Sequence, residues 1–222
     1  MWKLYLHKKG APYLGYFTAK HSEDLSEDFM VYRCLYPNEA GLTWVRPKTM
    51  FEENRNGVKR FEEIATLELA SPEDMNTVLM FGYDAWGDNK PPSDFVKSYE
   101  KCPNHLSGTR YVLRNVKGQL ISGLNILRFS KELSGIASVA TSPDYRKQGY
   151  AELLLKAVLA LHEDQKISQR QILFSEISTA YYEKLGFLVL PQNQQKFSSA
   201  TAMLRGAQHL SPDDLPFVEE YF

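Results

Sequence analysis

The residues best suited to chemistry in this sequence are Arg146-Lys147-Gln148-Gly149-Tyr150-Ala151. A short apolar run, Ile136, Ala137, Val139 and Ala140, precedes them and ends at Ser142-Pro143, as a buried strand would. Pro143 lacks a backbone donor and stops the ladder. Residues 152–162 then read as a helix: Leu154, Ala157, Val158 and Leu161 fall on one face, with Glu152 and Lys156 paired elsewhere. A strand feeding a basic, glycine-containing loop that opens a helix presents backbone N–H groups and a positive helix end to an anion. Gly149 has no side chain to keep an anion off that backbone, and Ala151 keeps the next approach narrow. Arg146-Lys147-Gln148 also fits an ordinary solvated turn. The strand before it and the helix after it favour the anion site.

A second segment follows the same logic. Gln171-Ile172-Leu173-Phe174-Ser175 reads as a buried strand, and residues 176–185 as a short helix ended by Gly186 at a left-handed cap. Phe187-Leu188-Val189-Leu190 is a further strand, stopped by Pro191. Tyr181 and Tyr182 are adjacent, so about 100° separates them around a helix and both cannot face one side. Core packing is the alternative role for either ring.

The elements that must position these residues begin near residue 61. Residues 63–69 alternate Ile64, Leu67 and Leu69 as an edge-like strand. Ser71-Pro72-Glu73-Asp74 starts a helix, with Ser71 as N-cap, Pro72 at the first position and acids in the first turn. Met75, Val78, Leu79 and Gly82 continue it at helical spacing. Residues 84–92 form a loop, and 95–99 a second short helix. Residues 111–114 and 119–129 are strands joined by a hairpin turn at Asn115-Val116-Lys117-Gly118. Tyr83, Trp86 and Phe95 fit either the wall of a pocket or its packing.

Residues 1–58 differ in texture. Short aromatic-rich runs at 2–5, 13–17, 29–36 and 41–45 are separated by turn chemistry at Lys9-Gly10, His21-Ser22-Glu23-Asp24 and 37–41. Such spacing predicts a small β-barrel or curled sheet. Asn54-Arg55-Asn56-Gly57 reads as a turn or boundary. The chain is therefore expected to divide into a small β-rich domain, 1–58, and a larger domain, 59–222.

Composition narrows the function classes. The 222 residues are 43% hydrophobic and 24% charged, as in a globular protein. A formal net charge of −1 argues against a general nucleic-acid binder. No apolar run approaches a membrane span, and Met1-Trp2-Lys3-Leu4-Tyr5 lacks the apolar core of a signal peptide. Cys34 and Cys102 stand alone, and the five histidines show no ligand spacing, so no metal is expected. A cytoplasmic setting is the expectation, with no membrane partner.

Arg146-x-x-Gly149-x-Ala151 is similar to the pyrophosphate-binding signature of the GNAT acetyltransferases. Tyr181-Tyr182-Glu183-Lys184-Leu185-Gly186-Phe187 resembles the "FYEKLGF" element near the end of their domains. The two motifs stand in the family's order, and the resemblance covers about 61–205. The N-terminal runs His7-Lys8-Lys9-Gly10, 19–23, 31–36, Trp44-Val45-Arg46-Pro47 and Met50-Phe51 resemble a small bacterial domain of unknown function.

The first resemblance implies an α/β (α+β) fold with a mixed central sheet flanked by helices, preceded here by the small β-rich domain. It implies acetyl-CoA as cosubstrate, its pantetheine arm on the backbone of Val139, Ala140 and Thr141, its pyrophosphate on Arg146, Lys147, Gln148, Gly149, Tyr150 and Ala151. It implies Tyr182 as the acid that protonates the departing sulfur. The base is open between Glu176, after the strand flanking the acceptor, Asp84 or Asp88 in the preceding loop, and water. Relatives often carry Asn where Ser175 stands, which leaves that contact unassigned. The expected reaction is acetyl transfer to a primary amine of a small molecule or peptide. The rival is a non-catalytic acetyl-CoA sensor whose N-terminal domain engages a protein partner.

Overall fold

The computed structural model describes residues 1–212 and 214; the rest of the expected second domain, 213 and 215–222, lies outside them. Four strands open the chain: β1 Trp2–His7, β2 Pro12–Lys20, β3 Asp28–Cys34 and β4 Thr43–Pro47. Helix α1 Lys48–Phe51 and a two-residue ribbon, β5 Asn54–Arg55 with β6 Val58–Lys59, lead to β7 Phe61–Leu69. Positive φ at Asn56 and Gly57 closes that ribbon, as a two-residue hairpin demands. Four short helices follow: α2 Met75–Met80, α3 Tyr83–Trp86, α4 Pro92–Glu100 and α5 Pro103–Ser107. Then come β8 Thr109–Asn115, β9 Leu120–Arg128, β10 Leu133–Thr141, α6 Tyr150–Asp164, β11 Arg170–Ser175, α7 Ala180–Glu183, β12 Phe187–Val189 and β13 Thr201–Arg205.

Among the described residues, eleven strands form one mixed sheet in the order β12-β13-β11-β10-β9-β8-β7-β1-β2-β3-β4. Neighbours are antiparallel except β10 and β11, which are parallel. The N-terminal strands join the rest through β1, whose Trp2 to His7 pair with Leu67 to Phe61 of β7. The sheet thus runs on past the boundary expected at residue 58. Strand β7 is consequently interior, not the edge its pattern suggests. Ala65 and Leu67 are fully buried, while Leu69 is exposed. Ile64 is only half-buried. Pairing with a strand 60 residues earlier in the chain left no local signal.

Helix α6 covers one face. Its expected stripe, Leu154, Ala157, Val158 and Leu161, is buried, but so are Leu155, Leu159 and Ala160. Leu4, Leu14 and Leu35 of the N-terminal part belong to the same core cluster, and Leu35 shares a surface cavity with Leu159 and Ala160. Helices α2, α4 and α5 pack on the opposite face, where Val78 and Phe81 meet Val112. Ser71 N–H donates to Asp74 Oδ2 at 2.9 Å at the predicted start, and Asp74 in turn accepts from Arg114 at 2.6 Å. The helix expected over 176–185 shrinks to the single turn α7, because Glu176 and Ile177 are drawn out along a cavity before the first helical bond, from Tyr181 N to Ser178 O. Gly186, with φ +83°, supplies the expected cap. The loop expected over 84–92 contains α3, and α5 lies where no element was expected.

Candidate active site

A bulge in β10 opens the site. Between the pairs Ala137–Asn125 and Ala140–Gly123, β10 spends one more residue than β9, and Ser138 takes a left-handed φ of +52°. The kink turns β10 away from β11. Their parallel ladder covers only Leu133 to Gly135 against Arg170 to Ile172, so Val139, Ala140 and Thr141 have no partner on β11. Backbone donors and acceptors there face a cleft between splayed strands.

The chain leaves β10 through a single 3-10 turn at Pro143–Tyr145 and enters α6 through Gly149, its N-cap. Lys147 at φ +61° and Gly149 at φ +82° turn the loop back over the helix end. The loop ends at the start of α6, whose first-turn N–H groups and dipole suit an anion. A Cβ built on Gly149 would meet nothing within 4 Å, so the space before it is open. A cavity of 450 Å³ runs along the cleft, lined by Val139, Ala140, Thr141, Arg146, Lys147, Gly149, Tyr150 and Ala151. Gln148 faces elsewhere, with its amide donating to Asp144 O at 3.1 Å.

Arg146 is already engaged. Its guanidinium donates to Phe81 O at 2.9 Å, Thr141 O at 3.1 Å and the Asp84 carboxylate, with Nη2–Oδ1 at 2.8 Å. That cation holds the Asp84 carboxyl below its usual range. Asp84 therefore serves as a counter-ion tying α3 to the loop. Asp88 is exposed and stands 3.8 Å from Lys90, lining neither cavity of the cleft.

A second cavity, of 370 Å³, lies on the far side of Tyr182. Tyr182 and Glu176 line both, so they stand where the two meet. Tyr182 is only 8% exposed, and burial, then Glu176, pushes its phenol up to about 12. Its proton is firmly held unless a strong base appears beside it. Tyr181 touches only the first cavity, and its ring stands at 90° to that of Tyr182. Trp86 Nε1 donates to Glu176 at 3.1 Å. Gly82 makes that possible: a Cβ there would lie 2.1 Å from the Trp86 ring. Tyr83 and Phe95 pack against each other with centroids 5.2 Å apart and line neither cavity. Ser175 turns inward, donating to Ile177 O at 2.9 Å.

The second cavity also recruits residues for which the sequence suggested no place in a site: Tyr99, Cys102, Asn104, His105 and Asn125. Burial, then the Arg110 charge, lowers the His105 imidazole to about 4, so it is neutral at pH 7. Asn125 was findable, as a lone amide within the apolar run Leu124 to Leu127. Among the described residues, no group of three His, Cys, Asp or Glu side chains could hold a metal, and no helix is long and apolar enough to cross a membrane.

Comparison with known proteins places this geometry. Residues 74–187, just over half of the chain, match the acetyltransferase (GNAT) family, and residues 3–63 match a family of proteins of unknown function, DUF1653. No curated protein matches. A putative N-acetyltransferase from Lactobacillus plantarum is 14% identical over 64% of this chain and 98% of its own, with a TM-score of 0.52. Ard1 from Thermoplasma volcanium is 19% identical over 64% and 97%, with a TM-score of 0.47. A GNAT family acetyltransferase from Elizabethkingia anophelis, solved with acetyl-CoA bound, is 15% identical over 65% and 99%, with a TM-score of 0.45. The splayed strands, the glycine loop on α6 and the family match agree: the chain belongs to the GNAT acetyltransferase family and carries the core of a GNAT-type N-acetyltransferase.

Proposed function

We propose that the protein moves an acetyl group from acetyl-CoA to a primary amine of a small molecule or peptide. The observation that carries this reading is the position of Tyr182 and Glu176 at the junction of the two cavities. The pantetheine arm lies along Val139 to Thr141 and the pyrophosphate over Lys147, Gly149 and the first turn of α6. The acceptor amine enters from the second cavity. Glu176, directly or through a water, takes a proton from the ammonium, and the neutral amine attacks the thioester carbonyl. The C–S bond then breaks, Tyr182 gives its proton to the leaving thiolate, and the proton shed by the acylated nitrogen passes through water to the Tyr182 phenolate. The buried phenol keeps its proton at neutral pH, so the proton is in place where the sulfur leaves. A binding-only role would not need an acid between the two chambers.

The pyrophosphate assignment has its own test. Gly149→Glu adds a side chain into the open space before α6, brings a like charge, and strains a left-handed residue. Charge-assisted contacts are worth about 1.5–3 kcal/mol each. Isothermal titration should show acetyl-CoA affinity falling by about tenfold or more in the folded variant. Unchanged affinity would remove the loop from the cosubstrate site.

A further inference from the structure

The second cavity holds groups that acetyl transfer as such does not require. Arg110 on β8, Asn125 on β9 and Ala137 on β10 lie in one row across the sheet, leading away from the bulge. Arg110 is 7% exposed, its Nε has no partner, and no carboxylate among the described residues pairs with it. A buried guanidinium without a counter-charge is costly and calls for an anion. Arg110 Nη2 stands 2.7 Å from His105 Nδ1. A guanidinium can only donate, so Nδ1 accepts and the imidazole proton sits on Nε2. His105 lines the cavity and carries the field of the cation behind it. Asn125, 1% exposed, lines the same cavity beside the bulge; its Nδ2 donates to Asn104 O at 3.2 Å, and its buried Oδ1 has no partner. Among the described residues, Glu176 is the one acid lining this cavity, and it sits at the Tyr182 end. The chamber thus has a carboxylate where the amine arrives and, farther in, a neutral imidazole backed by the Arg110 cation.

We propose that the acceptor is a primary amine bearing a carboxylate, an amino acid or a short amino-acid-derived amine, and that Arg110, acting through His105, positions that carboxylate. The assignment rests on the acetyl-transfer reading and adds the acceptor class to it. Arg110 does not touch the acceptor in this scheme; it is a positioning residue.

The test measures thiol release from acetyl-CoA with the twenty L-amino acids and their α-carboxamides as matched acceptors. Wild type, Arg110→Gln and Arg110→Lys are compared, with melting temperatures as a control. The preferred acids should exceed their amides by about tenfold or more in kcat/KM. Arg110→Gln should erase that preference by raising KM for the acid, with kcat and the amide little changed, and Arg110→Lys should restore part of it. Amides that serve as well as acids would overturn the carboxylate assignment and leave acetyl transfer standing. Equal losses for acid and amide in Arg110→Gln, with a lowered melting temperature, would reduce Arg110 to a tie between α5 and β8. No turnover of any acceptor by wild type that binds acetyl-CoA would strike the transfer reading and this proposal together.

Discussion

Tyr182 shows what burial does to a single residue. Sequence distinguishes it from Tyr181 only by resemblance, since both are adjacent phenols on one turn. The structure separates them physically: Tyr182 lines both cavities, Tyr181 one. His162 is a second case, buried on α6 beside Tyr111 with Nε2 unpartnered. Burial lowers its imidazole to about 4. The folded state therefore binds fewer protons than the unfolded chain between about pH 6.5 and 4. Stability from His162 is complete above that window and is lost as pH falls through it, by about 3 kcal/mol at most. Urea unfolding at several pH values should show a shallower acid loss in His162→Leu than in wild type. Identical slopes would mean that His162 is not held neutral.

At the level of elements, the strand–loop–helix around Gly149 was legible because its signals are local. An apolar run, a proline stop, a glycine and a helical stripe all lie within about thirty residues of chain. The second cavity was not legible. Tyr99, His105, Asn125 and Ser138 come from α4, α5, β9 and β10 and share no spacing. The interior position of β7 was hidden for the same reason, its partner β1 being remote in sequence. The tie between α3 and the loop is another non-local device. Arg146 takes Asp84 and two carbonyl oxygens, Phe81 O and Thr141 O, so it fixes the cleft wall before any ligand arrives. Asp84→Asn should weaken acetyl-CoA binding by severalfold. Combining it with Arg146→Ala should add much less than the sum of the single effects, since the pair acts as a unit. Additive losses in a titration series would show that Arg146 and Asp84 act separately.

For the molecule as a whole, the question is what the four N-terminal strands do for the core. They continue its sheet, share its core with α6, and send Arg33 to Glu163 and Asp164 at the helix C-terminus. Tyr16 also donates to Asp164, and Arg205 of β13 pairs with Glu163. Yet every residue lining the loop-side cavity lies between Phe81 and Tyr182. Leu6, Gly10 and Pro12 share a separate cavity with Gln148, Gly149 and Tyr150. The loop-side cavity loses no lining residue, so a chain beginning at Phe61 should keep acetyl-CoA affinity within about threefold, while melting lower and aggregating through the bared edge of β7. Lost affinity in a folded, soluble truncation would show that the N-terminal strands shape the cofactor cleft. The central claim, that this chain is a transferase with its acid between two chambers, is tested most directly by turnover of the full-length protein with acetyl-CoA and an accepted amine. Tyr182→Phe should lower kcat by about a hundredfold or more with acetyl-CoA affinity preserved, and Tyr181→Phe should stay close to wild type. Equal and mild effects from the two substitutions would contradict the account, leaving the Tyr182 phenol as packing.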